Sequence, residues 1–429
     1  GGKDNDASGS YCSISGGRSN EAGGAYSSVS GGRNNKANGK YSYIGGGGGE
    51  NMQDGNIAVA HYSAILGGLN NLTGDGTRNF DSAVLREVFT ESAIPDRNIG
   101  TQSTISGGII NRANGHYSSV TGGELNNASG DSSSVTGGIL SNANGDFSSV
   151  SGGSSNNANG NFSSVTGGKG NEANGFHSSV TGGENNVASG NRASVSGGIN
   201  NKANGDYSYI GGGGGNDALD GNIAVAHYSA ILGGLNNLTG DGIREYNSLL
   251  SRQTITEATN PDRNLGIQAA ISGGIVNHAT GRYSSVTGGK ENTAGGLYSS
   301  VTGGRYNYAG EQYSSISGGY SNDAGGTYSS ISGGYYNEAR GWYSSVSGGH
   351  LNDASGTSSS ISGGYSNDAS GISSSLSGGY SNDAGGAYSV ITGGRNNKAT
   401  GNYSYIGGGG GENAQDGNTA VAHYSAILG

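Results

Sequence analysis

The stretch that decides the fold is Gly-Gly-Arg-Ser-Asn-Glu-Ala-Gly-Gly-Ala-Tyr-Ser-Ser-Val-Ser, residues 16–30. Near copies follow one another along most of the 429-residue chain, with the shared pattern Gly-Gly-x-x-Asn-x-Ala-x-Gly-x-Tyr-Ser-Ser-Val-Ser/Thr. A short fixed period is typical of a quasi-one-dimensional fold in which each unit covers the apolar face of the next. The functional question is therefore what the surface of such a repetitive body is for.

The composition excludes several classes of protein. Glycine occupies 91 positions and proline only 2, without a three-residue period, so the chain is not a collagen. Apolar residues make up 31% of the chain, but the strict periodicity argues against disorder. A net charge of −10 without a basic run removes the electrostatic signature of a nucleic-acid-binding protein, and no apolar stretch is long enough for a membrane span.

The cysteine content and the two ends of the chain suggest its setting. Cys12 is the only cysteine, so there is no intrachain disulfide and no thiolate cluster for zinc. Such a low cysteine content fits many bacterial surface proteins. Because Gly1 and Gly429 both fall inside a repeat, we expect the chain to be a segment of a longer protein whose signal and anchor lie elsewhere.

Each repeat predicts two short strands, one at Tyr-Ser-Ser-Val-Ser and one around Asn-x-Ala. Alternation places Val29 on the same side as Ser27, and Ala22 on the same side as Asn20. The glycines between the strands suit tight reversals that need a positive φ and no Cβ. We therefore predict an all-β fold over residues 1–429: one parallel β-solenoid, or β-roll, of about 24 fifteen-residue coils with loop excursions.

Stacked coils would turn each repeat position into a row of side chains. The recurring asparagines can form amide ladders. The recurring tyrosines predict an aromatic stripe for self-association, formed by Tyr26, Tyr41, Tyr283, Tyr298, Tyr313, Tyr328 and Tyr343. One Val or Ile, one Ala, one Ser and one Asn per coil make a thin core against an ordering cost of ~1 kcal/mol or more per residue. Burial between chains would compensate, so we expect a homo-oligomer.

At this point the repeats resemble a known family. Ser-x-Val-x-Gly-Gly, a polar spacer and then Asn-x-Ala-x-Gly resemble the YadA-like head repeats of trimeric autotransporter adhesins, and residues 57–67 and 223–233 come closest. The resemblance implies a left-handed parallel β-roll with three chains side by side, and an adhesive role. The chain departs from the family in its repeat, about one residue longer, and in its insistent Gly-Gly and Tyr-Ser-Ser. It also shows no neck, coiled-coil stalk or anchor.

Insertions interrupt the repeat in a recurring order. Three glycine-rich insertions, at residues 45–53, 211–219 and 407–415, each lengthen a coil by six residues. No Gly-Lys-Ser/Thr follows the five-glycine runs, so a phosphate-binding loop is disfavoured, and we expect a bulged turn or a close contact with a neighbouring chain. Two longer excursions occupy residues 74–100 and 240–266 and contain both prolines.

The secondary structure of the excursions stays open at this level. Phe80, Val84 and Val88 lie at i, i+4 and i+8, which fits a short amphipathic helix in the first copy. In the second copy, Thr254, Ile255 and Thr256 fit a strand. Both copies end in Pro-Asp-Arg-Asn-x-Gly.

Long loops on a regular scaffold often bind partners. The candidate partner-binding residues are Asp96, Arg97, Asn98, Asp262, Arg263 and Asn264. The competing interpretation, compatible with the first, is that Pro-Asp-Arg-Asn is a turn returning the chain to the roll.

No pattern points to catalysis or to a cofactor. His61, His227 and His423 share one repeat position without a Cys, Asp or Glu at ligand spacing, so packed or surface histidines are expected. Serines are too common for a Ser-His-Asp set to mean anything. Asp/Asn turns such as residues 322–326 suggest a calcium site, but one carboxylate per coil is a poor cage.

We therefore expect a structural, non-enzymatic protein at the cell surface or outside the cell, forming an oligomeric fibre, sheath or adhesin shaft. The expected partner is the chain itself, as a trimer or filament, with neither nucleic acid nor a membrane span. A first alternative is an adhesin head that binds a surface glycan or a matrix protein through the excursions or the tyrosines. A second is an ice-binding solenoid, although a flat Thr-x-Thr face is missing.

Overall fold

A computed structural model describes residues 1–81, 86–247 and 252–428. It confirms the predicted fold class, because the described chain is an all-β parallel β-solenoid of about 25 coils spaced about 15 residues apart, with essentially no helix. Two compact units are distinguished, Gly1–Ala203 and Asn204–Gly429. Both units repeat the same coil.

One side of the coil, named here the Val face, consists of the strands that end in Val, Ile or Leu. They pair in parallel at the repeat offset, as in Ser13 with Ser28 and Ile14 with Val29. In the first unit they are Ser13–Ile14, Ser28–Val29, Tyr43–Ile44, Ala64–Ile65, Thr104–Ile105, Ser119–Val120, Ser134–Val135, Ser149–Val150, Ser164–Val165, Ser179–Val180 and Ser194–Val195. In the second unit they are Tyr209–Ile210, Ala230–Ile231, Ala270–Ile271, Ser285–Val286, Ser300–Val301, Ser315–Ile316, Ser330–Ile331, Ser345–Val346, Ser360–Ile361, Ser375–Leu376, Val390–Ile391, Tyr405–Ile406 and Ala426–Ile427.

The opposite side, named the Ala face, consists of strands ending in Ala or Thr. They also pair in parallel, as in Asn142 with Asn157. In the first unit they are Lys36–Ala37, Ile57–Ala58, Leu72–Thr73, Arg112–Ala113, Asn127–Ala128, Asn142–Ala143, Asn157–Ala158, Glu172–Ala173, Val187–Ala188 and Lys202–Ala203. In the second they are Ile223–Ala224, Leu238–Thr239, His278–Ala279, Thr293–Ala294, Tyr308–Ala309, Asp323–Ala324, Glu338–Ala339, Asp353–Ala354, Lys398–Ala399 and Thr419–Ala420.

A third column of pairing, which the repeat pattern did not predict, joins the residue that follows each Gly-Gly. Single-residue parallel bridges connect Ile109 to Glu124 in the first unit, and Tyr320 to Tyr335 in the second. The coil therefore has two short strands and one additional bridge. This third column aligns the side chains after Gly-Gly into a row of their own.

The core contains the four residue types expected from alternation. In the coil that starts at Gly16, Asn20, Ala22, Ser27 and Val29 are all buried. The buried asparagine is the best-bonded member. Asn171 Oδ1 accepts a hydrogen bond from the next coil's Asn186 N–H (2.9 Å), and its Nδ2 donates to Gly167 O and Gly183 O at 2.9 and 3.0 Å. The predicted ladder is thus mainly a side-chain-to-backbone ladder, named here the inner asparagine row.

Glycine is required at the reversal after the Val face. Gly17 has φ +91°, and a Cβ there would lie 2.2 Å from Gly32 O of the next coil. Two other positions adopt the left-handed conformation with side chains present, represented by Ser19 and Tyr26 with φ values of 54° and 58°. L-residues adopt this region at a cost, so the close stacking of coils imposes the conformation.

The six-residue insertions form bulged turns. A short 3-10 helix, Met52–Asp54, follows the first five-glycine run, and Asp54 Oδ2 accepts a hydrogen bond from Asn51 N–H at 3.2 Å. The third insertion contains the equivalent helix Ala414–Asp416. In the second insertion, Asp220 N–H donates to Asp217 O at 2.9 Å.

Both long excursions contain antiparallel β-hairpins. The first hairpin pairs Gly76–Asp81 with Arg86–Glu91, and the second hairpin pairs Gly242–Asn247 with Arg252–Glu257. The amphipathic helix that Phe80, Val84 and Val88 suggested is therefore wrong, with Val84 itself outside the described residues. Backbone pairing across the hairpin determines the structure here, and an i, i+4 spacing of apolar residues does not exclude a strand.

Candidate functional site: side-chain rows and docked hairpins

The predicted tyrosine stripe forms separate runs of stacked rings, together named here the tyrosine row. Between Tyr283 and Tyr343, successive ring centroids lie 4.7 to 5.1 Å apart with interplanar angles of 3° to 11°. Tyr26 and Tyr41 stack in the same way, at 4.8 Å. Because the coil spacing is close to the strand spacing of ~4.8 Å, neighbouring rings are placed at stacking distance.

The tyrosine row is both fixed and exposed. Its members from Tyr283 to Tyr343 have φ values of 57° to 59° and remain 39% to 57% exposed. In other coils the same left-handed position holds serine, as at Ser132, Ser358 and Ser373. The backbone therefore does not need the ring, and the aromatic side chains cover surface that a smaller residue would leave bare.

A second aromatic row lies in the Asn204–Gly429 unit, at the residue after Gly-Gly. Tyr320 stacks on Tyr335 and Tyr365 on Tyr380, each pair at 4.9 Å, and His350 contacts Tyr335 and Tyr365 edge-on. The Arg395 guanidinium lies 4.5 Å from the Tyr380 ring centroid. This row was not predicted, although Gly-Gly-Tyr recurs at residues 318–320, 333–335, 363–365 and 378–380.

A row of carboxylates occupies the Ala face of the same unit. Its members are Asp323, Glu338, Asp353, Asp368 and Asp383. The Arg340 guanidinium contacts Glu338 Oε2 at 2.5 Å and Asp323 Oδ2 at 3.5 Å, and Lys398 Nζ contacts Asp383 Oδ2 at 3.0 Å. Arg340 and Lys398 thus neutralise the row towards its two ends.

The middle of the carboxylate row is electrostatically strained. Burial, together with Glu338 and Asp368, raises the pKa of Asp353 to about 6. Burial and Asp383 likewise raise the pKa of Asp368, and burial raises the pKa of Asp323. The Oδ1 atoms of all three aspartates are buried without a hydrogen-bond partner in the described part of the chain. Among the described residues, no group of three His, Cys, Asp or Glu side chains is arranged to hold a metal ion.

Each hairpin packs on outward-facing apolar residues of the Ala face. Phe89 of the first hairpin is buried in a cluster with Ile57, Val59, Leu72 and Ile110. Ile255 of the second hairpin is buried with Val225, Leu238 and Val276. These positions are polar in most other coils, so a switch to apolar residues next to an excursion is the signal that could have predicted the docking.

One buried asparagine holds each hairpin to the coil. Asn70 Oδ1 accepts a hydrogen bond from Phe89 N–H at 2.6 Å, and Asn236 Oδ1 accepts one from Ile255 N–H at 2.6 Å. Both asparagines lie in the left-handed region, with φ values of 47° and 48°. They differ from the asparagines of the inner asparagine row because their Oδ1 atoms accept from a hairpin and not from the next coil.

The candidate residues Asp96, Arg97 and Asn98 form the turn that returns the first excursion to the solenoid. Asp96 Oδ1 accepts a hydrogen bond from Asn98 N–H at 3.0 Å, and Arg97 O accepts one from His61 N–H at 2.9 Å. The Arg97 guanidinium donates to Asn38 O and lies 3.5 Å from Glu91 Oε1. Asp96 and Asn98 remain exposed.

The second excursion repeats this arrangement. Asp262 Oδ1 accepts from Asn264 N–H at 2.9 Å, and the Arg263 guanidinium donates to Asn204 O and lies 3.7 Å from Glu257 Oε1. The turn interpretation of Asp-Arg-Asn therefore describes the geometry. Binding of a partner by the exposed Asp and Asn side chains stays a prediction.

The three equivalent histidines act as backbone acceptors. Nδ1 of His61, His227 and His423 accepts a hydrogen bond from the N–H of Lys40, Asp206 and Asn402 at 2.9, 2.9 and 3.0 Å. Burial, Arg97 and Lys40 lower the pKa of His61, which keeps its Nδ1 free to accept. These histidines therefore fix the turn of the preceding coil that contains Lys40, Asp206 or Asn402.

The described residues include no helix long and apolar enough to cross a membrane. No protein-family model matches the chain, and no curated protein sequence matches it either. The assignment of a function therefore rests on the rows and the hairpins themselves.

Proposed function

We propose that the chain is a non-enzymatic structural protein of the cell surface or extracellular space, which self-associates along the tyrosine row into an oligomeric fibre, sheath or adhesin shaft. The observation that carries the proposal is the run of stacked, half-exposed rings from Tyr283 to Tyr343. Tyrosine is enriched in the buried centres of protein interfaces, where its large ring adds contact area at a low entropic cost.

The rigidity of the row supports an interface. Each tyrosine backbone is held in one left-handed conformation, and each ring is fixed between its neighbours in the stack. Little side-chain freedom remains to be lost when a second chain docks, and such pre-organisation favours binding. A partner with the same period would bring the same row into register over many coils.

The thin core supports assembly for a second reason. Most coils bury one large apolar side chain, for example Val165 or Val180, besides an alanine, a serine and an asparagine. Contact between chains would add apolar burial to every coil at once. The resemblance to YadA-like head repeats favours three chains side by side, and it also favours a position at the cell surface.

The test replaces three tyrosines of the row by the residue that other coils already have there. The triple variant Tyr298→Ser, Tyr313→Ser and Tyr328→Ser should keep the solenoid, since Ser132 and Ser358 occupy this position naturally. The matched control is Tyr320→Ser, Tyr335→Ser and Tyr365→Ser in the second aromatic row.

Sedimentation velocity over a hundredfold concentration range, together with negative-stain electron microscopy, measures assembly. We expect the wild type and the control to form oligomers or filaments, and the row variant to sediment as a single chain. A wild type that stays monomeric at all concentrations contradicts the proposal, as does a row variant that assembles like the wild type.

The second candidate function is an adhesin head that binds a surface glycan or matrix protein. The exposed Asp96 and Asn98 side chains, repeated at Asp262 and Asn264, favour it because polar groups on a fixed turn are accessible to a ligand. Replacing all four by alanine should abolish binding to a glycan or matrix array while sedimentation stays unchanged. If no ligand on the array binds the wild type, this candidate fails and the structural proposal is unaffected.

A further inference from the structure

The first hairpin covers a small cavity on the outer side of the Ala face. The cavity measures about 130 Å³ and is lined by Arg78, Phe89, Arg112, Asn126, Asn127 and Asn142. Its roof is held firmly, because Phe89 is only 3% exposed and its N–H donates to Asn70 Oδ1. The cavity is therefore formed by the docking of the hairpin on the coils.

Arg112 supplies an unused hydrogen-bond donor to this cavity. It lies on the Ala face between Leu72 and Asn127 of the adjacent coils, and its Nε is buried without a hydrogen-bond partner in the described part of the chain. Burial is the main cause of a lowered pKa at Arg112, with Arg78 acting in the same direction. A partly buried guanidinium without a bonded anion is costly, which favours a ligand that supplies one.

Asp75, the carboxylate that acts electrostatically on Arg112, does not serve as the bonded anion. Asp75 opposes the lowering of the Arg112 pKa, but its two oxygens are already bonded. Oδ1 accepts from the Ser92 hydroxyl at 2.9 Å, and Oδ2 accepts from Asp96 N–H at 3.1 Å. Asp75 thus fixes the base of the excursion and leaves the Arg112 donor for another anion.

Asn127 adds an unused acceptor beside that donor. Its Oδ1 is buried without a hydrogen-bond partner in the described residues. By contrast, the neighbouring Asn126 is fully engaged, with Nδ2 donating to Gly122 O and Gly138 O and Oδ1 accepting from Ser141 N–H. The cavity thus combines a cationic donor, an amide acceptor and the apolar Phe89.

We propose that this cavity binds an acidic saccharide of the uronic acid class, with the carboxylate on Arg112 and an adjoining hydroxyl donating to Asn127 Oδ1. A cavity of 130 Å³ has the volume of about four water molecules, which accommodates a carboxylate and its neighbouring carbinol. Inorganic sulfate would satisfy the guanidinium but not the amide acceptor, because it has no hydroxyl to donate at neutral pH. The site lies within one chain, so it does not depend on self-association.

The second hairpin provides an internal control, because it repeats the scaffold without the site. His278 stands in the place of Arg112 and Thr293 in the place of Asn127, while Ile255 replaces Phe89. His278 is buried, and its Nε2 lies 2.9 Å from Gly240 O. We therefore expect one acidic-saccharide site per chain.

Isothermal titration calorimetry with glucuronate tests the proposal, with glucose and sulfate as comparison ligands. We expect glucuronate to bind once per chain and at least tenfold more tightly than either. Arg112→Gln should weaken glucuronate binding at least tenfold, whereas Arg282→Gln, at an exposed arginine beside Tyr283, should leave it unchanged. Circular dichroism checks the fold, and sedimentation run in parallel separates binding from assembly.

A second variant guards against loss of binding through misfolding. Asn127→Asp places a carboxylate next to Arg112, so glucuronate binding should be lost while the thermal midpoint is equal to or above that of the wild type. The proposal is overturned if glucuronate does not bind, which would leave only water in the cavity. It is equally overturned if glucuronate binds no more tightly than glucose. It is also overturned if sulfate binds as tightly as glucuronate, or if Arg112→Gln retains full binding.

Discussion

The coils formed by residues 122–174 and those formed by residues 318–398 have the same backbone conformation but different side chains on the Ala face, amides in the first region and carboxylates in the second. In the first region asparagines bond to each other across coils, as in Asn142 Nδ2 to Asn157 Oδ1 at 2.7 Å and Asn144 Nδ2 to Asn159 Oδ1 at 2.8 Å. In the second, the position of Asn142 holds Asp353 and its carboxylate neighbours, which repel one another. A solenoid thus multiplies each residue choice into a row, and amides both donate and accept along it, whereas ionised carboxylates only accept.

The same comparison extends to the inner asparagine row. It is unbroken in the second region, from Asn307 to Asn397. In the first region, Ser141 replaces one asparagine, and its hydroxyl donates weakly to Ile139 O at 3.4 Å. The first region therefore has hydrogen-bonded amides on the Ala face but an interrupted inner asparagine row. The second region has repelling carboxylates on the Ala face but an unbroken inner asparagine row.

The largest effect is expected from breaking the inner row in the second region. Asn352→Ala removes the Oδ1 that accepts a hydrogen bond from Asn367 N–H. It also removes the Nδ2 that donates to Gly348 O and Gly364 O. Asn367 N–H and Gly348 O would lose these partners, while Gly364 O keeps its hydrogen bond from His350 N–H at 2.9 Å, so local stability should fall by on the order of 2 kcal/mol. Hydrogen exchange measured by mass spectrometry should show faster opening over residues 333–382. Unchanged exchange there would mean that the inner row is not a main source of stability.

Repairing the inner row in the first region should have the next largest effect. Ser141→Asn places an amide where its Oδ1 can accept from Asn156 N–H and its Nδ2 can donate to Gly137 O and Gly153 O, as at the neighbouring coils. We expect a gain of about 1 kcal/mol in local stability, seen as slower exchange over residues 137–167. A matched Ser151→Asn change, at an exposed serine outside the row, should give no gain. If both variants behave alike, the row geometry does not explain the difference.

Replacing a carboxylate by an amide on the Ala face, or an amide by a carboxylate, should change how the stability of each region depends on pH. The folded-state pKa of Asp353 is raised to about 6, so its stabilising contribution is present below about pH 4 and is lost as the pH rises through 6. Asp353→Asn should therefore raise stability at pH 7 and flatten the profile in urea unfolding at pH 4 to 7. The reciprocal Asn142→Asp, which loses the bond to Asn157, should lower stability at pH 7. A profile that Asp353→Asn leaves unchanged would contradict the assigned cause.

The smallest effect is expected at the inner serines, which both regions share. Ser133 Oγ is buried without a partner in the described residues, and alanine stands in this row at Ala193 and Ala269. Ser133→Ala should change the free energy of unfolding by less than about 0.5 kcal/mol. The control Ser63→Ala removes bonds to Ala60 O (2.9 Å) and to the Thr73 hydroxyl (2.8 Å) and should cost about 1 kcal/mol or more. Equal losses in thermal unfolding would show that the Ser133 hydroxyl is bonded in solution.

Much of the coil could be predicted because it depends on local alternation and on one repeated offset. The pairs Ser27 with Val29 and Asn20 with Ala22 point inwards as expected, and Gly17 has the positive φ that the reversal requires. The tyrosine row followed from the period alone. The second aromatic row was missed because the residue after Gly-Gly was taken to be a turn, and its bridge exists only between coils.

The excursions could not be predicted to the same degree. Phe80, Val84 and Val88 fit a helical spacing, but a hairpin forms because its strands pair with each other and then dock on Leu72 and Ile110. Those contacts join residues far apart in the coil pattern, and no local preference encodes them. The turn at Asp96, Arg97 and Asn98 was one of the two compatible interpretations of Pro-Asp-Arg-Asn, because it depends on local residues.

By itself, the sequence determined the fold class, the period, the inward residues and the alignment of like side chains, because a constant offset of fifteen repeats every local choice along the solenoid. Only the tertiary structure decided how those rows bond, where the hairpins lie and which polar atoms are left without partners. Arg112 and Asn127 differ little in the sequence from other outward residues. They become a candidate site because a distant hairpin covers them, and burial then makes each unpaired donor or acceptor costly.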